Sequence, residues 1–101
     1  MRKKIYISGP MTGMPDLNRK TFTDAEELLH RRGYEPVNPH KNGLPDTATW
    51  EDHMKRDLEM LNGCDGVAVL WGCDKSKGSQ IEMSAARRMS MPVETIYYWL
   101  R

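Results

Sequence analysis

The chain has 101 residues, enough for one domain with a single core and too few for two. Lys and Arg number 15 against 14 Asp and Glu, a net charge of +1, and this balance excludes a general nucleic-acid or membrane surface. The two cysteines, Cys64 and Cys73, sit at neither metal nor redox-motif spacing, which points to a reduced, cytoplasmic protein without a metal. Met1-Arg2-Lys3-Lys4 is basic, but the apolar stretch after it is too short for a signal peptide, and no run approaches transmembrane length. Eight methionines fit adaptable packing, in a core or at an interface.

Lys4-Ile5-Tyr6-Ile7-Ser8 reads as the first strand, ended by Gly9-Pro10. Gly13 and Pro15 keep the next stretch a loop, and residues 18–32 then show helical periodicity through Phe22, Ala25, Leu28 and Leu29. Gly33 stops that helix, and Tyr34-Glu35-Pro36-Val37 forms a short strand whose proline argues for a sheet edge. Residues 38–49 read as loop. Thr49 caps a second helix with Trp50, Met54, Leu58 and Leu61 on its buried stripe, ended by Asn62-Gly63. Residues 66–71 are apolar without alternation, as in a central strand covered on both faces. A third helix is expected over 80–89 and a last strand over 92–98. The order β-α-β-α-β-α-β predicts a four-stranded parallel sheet with right-handed crossovers and helices on both faces. The aromatic tail Tyr97-Tyr98-Trp99 exceeds what a closing strand needs, and a homodimer or higher homo-oligomer is expected.

Two loops look like ligand cradles. Residues 72–82 run from the central strand into a helix, and their Ser76, Gly78 and Ser79 suit an anion. Ser8-Gly9-Pro10-Met11-Thr12-Gly13 also follows a strand, although it carries neither a dinucleotide fingerprint nor a Walker motif. An ordinary turn explains it equally well. Asp57 lies about 20° around its helix from Trp50, at the edge of the apolar stripe. A carboxylate there is either paired or placed over a cleft. Glu82 completes a capping box with Ser79, which alone would account for it. The loop before it makes a second reading available, a reacting carboxylate beside an anion site. Tyr6 either reaches the cleft or fills the core.

Four segments taken together resemble the nucleoside 2-deoxyribosyltransferase superfamily: residues 4–10, Arg56-Asp57-Leu58, residues 64–70 and residues 76–82. In motif they are most similar to its nucleoside 5'-monophosphate N-glycosidase branch and the small phage and bacterial proteins grouped beside it. The resemblance spans nearly the whole chain, as one domain over 1–101, and implies a flavodoxin- or Rossmann-like three-layer fold. It implies Glu82 as nucleophile toward the anomeric carbon, Asp57 on the sugar and Tyr6 beside Glu82. In the transferases an aspartate stands six residues before the glutamate; here that place is Ser76, as in the monophosphate hydrolases, and a neutral donor suits a phosphate better than a second carboxylate. Those hydrolases place an arginine in the first loop where this chain has Thr12. They also complete the site with a polar residue from a neighbouring subunit, beyond the last strand; no residue here matches it, and Tyr98 or Arg101 of a partner is a candidate to take its place.

The expected activity is hydrolysis of the base–sugar bond of a nucleoside or its 5'-monophosphate. Ser8, Gly9, Thr12, Gly13, Ser76, Gly78 and Ser79 would hold the phosphate, with no cofactor. The partner is then a small nucleotide or nucleoside rather than a polymeric nucleic acid or a membrane. The compartment is the cytoplasm of a bacterium, or of the host cell if the chain is phage-encoded. The alternatives are a non-catalytic nucleotide- or phosphosugar-binding module, a deoxyribosyltransferase, and an NAD-type glycohydrolase.

Overall fold

Strand β1 (Lys4–Ser8) is the centre of the sheet in the computed structural model, which describes residues 2–101. It pairs in parallel with β2 (Glu35–Val37) on one side and β3 (Gly66–Val69) on the other, and β4 (Val93–Thr95) closes the order β2-β1-β3-β4. The proline-bearing β2 is an edge strand, as expected where a backbone N–H is missing. Helices α1 (Arg19–Arg31), α2 (Trp50–Asn62) and α3 (Lys77–Arg88) connect the strands, and α4 (Ile96–Trp99) follows the last. The result is a three-layer α/β/α fold of the flavodoxin/Rossmann-like kind.

Period-two alternation along β1 divides the core between the two faces. Ile5 and Ile7 pack with Ala68 and Leu70 beneath Phe22, Ala25 and Leu29 of α1 and Ile96 and Trp99 of α4. Tyr6 and Val67 face the other way, toward Leu61 of α2 and Ala86 of α3. Ser8 shares the parity of Tyr6, so both hydroxyls of β1 project toward α2 and α3. Ser8 and Val69 are register partners, so the loops leaving β1 and β3 emerge side by side. β1 also pairs with β2 on its other side, which makes the β1/β3 junction a topological switch point, where open α/β sheets bind ligands.

Several boundaries differ from the sequence reading: the strand expected over 66–71 ends at Val69, with Trp71 beyond it exposed, and three other departures bear on the site or the core. α3 begins at Lys77, three residues before the expected Gln80. α1 begins at Arg19, preceded by a turn in which Asp16, Leu17 and Asn18 all take positive φ (47°, 54° and 60°). The last strand stops at Thr95 rather than running to Tyr98, because the Thr95 hydroxyl accepts from Tyr98 N–H at 3.3 Å and starts α4. That turn carries Trp99 inward and leaves Tyr97 and Tyr98 exposed. Trp99 is buried, its indole Nε1–H donates to Val67 O at 2.9 Å, and its ring meets Tyr34 edge to face at 5.7 Å.

Trp99 also packs against Gly66, where a Cβ would sit 2.7 Å from its Cη2. Gly66→Ala therefore forces the indole out of its seat, and overpacking of this kind costs about 1–3 kcal/mol. Thermal unfolding of Gly66→Ala should show a Tm lower by several degrees, partly recovered by adding Trp99→Phe. An unchanged Tm would show that the indole can move without cost.

Candidate active site

The cavity at this switch point has a volume of about 560 Å³. Its walls come from the loop after β1 (Gly9, Met11, Thr12, Leu17), from residues 39–48, from the cavity side of α2 (Trp50, His53, Met54, Asp57) and from the start of α3. Both carboxylates reach it for the same reason. Each occupies the buried stripe of its helix: Met54, Asp57 and Leu61 on α2, and Ser79, Glu82, Met83 and Ala86 on α3. Acids at core positions of two helices over one sheet face must either pair or border a cleft. These border the cleft.

Glu82 is 5 % exposed, and both its oxygens are held from β1. Tyr6 Oη donates to Oε2 at 2.5 Å and Ser8 Oγ to Oε1 at 2.7 Å. Burial raises the Glu82 carboxyl from its ordinary value of 4.5 to about 7; the two hydroxyl bonds pull it down and the Asp57 charge adds a further push upward. The Tyr6 phenol is itself held well above its ordinary range, by burial first and by the Glu82 charge second, so it stays a donor. Asp57 is also raised by burial, opposed by the amide of Asn42, whose Nδ2 donates to Oδ1 at 2.9 Å. No ion pair with Arg56 or Lys55 forms there; the partner is a neutral amide from the 38–49 loop.

The capping box expected at Ser79 and Glu82 is absent. Ser76 is the N-cap, its Oγ accepting from Ser79 N–H at 3.2 Å, which makes Glu82 the sixth residue of α3 and leaves its carboxylate for the cavity. Ser79 is 1 % exposed, and its hydroxyl finds no hydrogen-bond partner among the described residues. Gly78 lets α3 approach α2, since a Cβ there would lie 3.3 Å from Met54 Sδ. Thr12, Ser76, Gly78 and Ser79 line the cavity, with Lys75 and Lys77 beside them. Gly9 also lines it, though its missing Cβ is required by Leu70, whose side chain would lie 2.9 Å away. Gly13 stands outside the lining, and the Ser8 hydroxyl is taken by Glu82.

His40, Asn42 and His53 are not among the site residues assigned from sequence, and all three line the cavity. The His40 ring packs edge-on against Phe22, with Arg19 Nη1 3.4 Å from its Nδ1. Burial and the Arg19 charge both lower its pKa, so it is neutral at pH 7. Trp50 is held at the cavity mouth by Lys77, whose Nζ is 5.1 Å from the ring centre. Among the described residues no group of three or more His, Cys, Asp or Glu could hold a metal ion. No described helix is long and apolar enough to cross a membrane.

The chain shares the fold of solved 2-deoxyribosyltransferases. A 2-deoxyribosyltransferase from Bacillus psychrosaccharolyticus superposes with a TM-score of 0.69 at 27 % identity, over 89 % of this chain and 69 % of that one. One from Leishmania mexicana superposes at 0.72 with 20 % identity, over 92 % of this chain and 63 % of that one. The chain thus spans about two thirds of the length of either enzyme. By sequence it belongs to the family described as a domain of unknown function, DUF4406, which residues 3–95 match. No curated protein matches it.

A carboxyl whose folded-state pKa lies above its unfolded value binds more protons when folded, so its contribution to stability is lost as pH rises. For Glu82 the window runs from about 4.5 to about 7, and the full shift corresponds to about 3 kcal/mol. Glu82→Gln removes the charge and keeps the shape. Urea unfolding at pH 8 should find it more stable than wild type, with the advantage shrinking as the pH falls toward 5. A wild-type protein that gains stability relative to the variant as the pH rises from 5 to 8 would mean that the carboxylate is not desolvated.

Proposed function

We propose that the protein cleaves the N-glycosidic bond of a nucleoside or nucleotide with Glu82 as nucleophile, in the manner of a deoxyribosyltransferase. The observation that carries this reading is a buried carboxylate, held by Tyr6 and Ser8, at a cavity wall shared with a second carboxylate. The Bacillus structure, at 27 % identity, is a 2-deoxyribosyltransferase, which supports transfer chemistry over simple binding.

In the first step a Glu82 oxygen attacks the anomeric carbon. The carbon–nitrogen bond breaks, its electron pair leaves on the base, and the base nitrogen takes up a proton. The product is a glycosyl ester of Glu82. In the second step a new base or water attacks the same carbon, giving up a proton, and the carboxylate is released. Both transition states carry oxocarbenium charge, which the negative charge of Asp57 stabilises while its carboxylate orients the sugar hydroxyls. Tyr6 and Ser8 fix the attacking group and keep its pKa from rising further.

A 5'-monophosphate substrate is the reading favoured by the start of α3. The helix N-terminus, the unpartnered Ser79 hydroxyl, Ser76 and the neighbouring Lys75 and Lys77 together suit a phosphate.

Incubation with a panel of deoxynucleosides, their 5'-monophosphates and NAD, with and without a second free base, should release base or exchange it. Glu82→Ala or Glu82→Gln should lower turnover by on the order of 10³-fold or more with the fold retained; a variant as fast as wild type would remove Glu82 from the mechanism. The Tyr6 hydrogen bond lowers the Glu82 pKa. Accordingly kcat/KM should rise with pH through an inflection near 7, and Tyr6→Phe should move that inflection upward. A Tyr6→Phe profile unmoved, or moved to lower pH, would contradict this coupling.

A further inference from the structure

The 38–49 loop contributes a hydrogen-bond chain to the cavity that the steps above leave unused. Asn42 is buried, and its side chain is engaged on both ends. Oδ1 accepts from Leu44 N–H at 3.0 Å; Nδ2 lies 2.9 Å from Asp57 Oδ1 and 3.0 Å from His53 Nδ1. On the far side of the imidazole, His53 Nε2 is 3.0 Å from Pro45 O, which can only accept. The proton therefore sits on Nε2, Nδ1 is an acceptor, and the two hydrogens of the Asn42 amide serve His53 and Asp57 one each. A flipped amide would set an oxygen against a carboxylate and its NH2 against a backbone N–H. Arg56 Nε donates to Asn42 O at 3.1 Å and fixes the backbone of the same residue.

An aspartate carboxyl has a broad terminal torsion and turns freely unless something holds one oxygen. Here Oδ1 is held, and Oδ2 is left for a ligand. We infer that Asn42, set by His53, is a positioning residue that locks the Asp57 carboxylate so that Oδ2 faces the sugar hydroxyls. This rests on the reading of Asp57 as the group that orients the sugar. It makes the 38–49 loop a working part of the site, since the loop carries both Asn42 and the Pro45 carbonyl that fixes the His53 tautomer.

The test uses the full chain as wild type, Asn42→Ala, His53→Phe, Asp57→Ala and the double variant Asn42→Ala/Asp57→Ala. Titration of ¹³C-labelled aspartate by NMR reports Asp57 directly and needs no turnover. The Asn42 bond lowers the Asp57 pKa, so Asn42→Ala should move the titration upward, and His53→Phe, which retains the amide, should move it less. In cleavage assays Asn42→Ala should lower kcat by about 10- to 100-fold through misplacement of the sugar, and the same change in the Asp57→Ala background should cost little more. An Asp57 titration unmoved in folded Asn42→Ala, or an equal loss of kcat in both backgrounds, overturns the inference and leaves Asn42 as a loop anchor only. If Asn42→Ala does not fold, His53→Phe is titrated in its place, and an Asp57 titration unmoved there overturns the inference equally. A wild-type protein that cleaves no substrate in the panel defeats the reading of Asp57 as a sugar-orienting group, and the titration then decides separately whether Asn42 holds its carboxylate.

Discussion

A carboxylate removed from water is the constraint on which the rest of the structure depends. Glu82 stands on the core-facing stripe of α3, where a charged group is costly unless it is paired or hydrogen-bonded. Two hydroxyls of β1 meet it, and strand alternation is why both are available: residues 6 and 8 project to the same side of the sheet. They offset part of the desolvation and leave a residual that holds the pKa near neutrality. A neutral hydrogen-bond partner keeps the group able to react, whereas an arginine or lysine in the same place would have tied up its charge in an ion pair.

The same logic governs Asp57 from the opposite helix. α2 and α3 cover one sheet face and bury matching stripes, so an acid in each stripe lies against the same floor. What separates the two acids from the core is the cavity over the carboxyl ends of β1 and β3, where neither helix fills the space above the sheet. The 38–49 loop closes that space and supplies the amide that Asp57 needs. Site and fold are therefore one packing problem: the helices bury what they can, and the residue positions left over the strand ends carry the polar groups.

Much of this was legible in the sequence. The alternation of strands and helices predicts the parallel sheet; the proline of Tyr34-Glu35-Pro36-Val37 predicts an edge, and Thr49 predicts a cap that its bond to Asp52 N–H at 3.0 Å supplies. The helical period by itself brings Asp57 to the buried stripe. The start of α3 was not legible because Ser76 and Ser79 both have cap chemistry, and local pattern favours the later one. Tertiary packing decides, since Gly78 lets the first turn of α3 come close to Met54. The run Val93–Tyr98 has strand composition throughout, and the Thr95 cap together with burial of Trp99 overrides it. Asn42 had no signal at all. It lies in a loop with no periodicity, and the His53 and Asp57 that its amide reaches are 11 and 15 residues away.

The start of α3 raises a further electrostatic question for the proposed chemistry. A phosphate bound near Ser76 and Ser79 would place negative charge close to a carboxyl already held up near 7, and like charge drives such a group toward its protonated, unreactive form. A site that takes a phosphate and needs an ionised glutamate must therefore neutralise the phosphate locally. Lys75 and Lys77 at the cavity edge and the positive end of α3 provide this without a cation contacting Glu82 itself. Lys77 is already drawn toward Trp50, so its charge is held at the mouth, where in the proposed chemistry it would offset an incoming anion and leave Glu82 unpaired. Under the proposed chemistry the division of labour would follow from distance: cations at the rim would select the substrate, and the neutral hydroxyls at the floor would set the state of the reacting carboxylate.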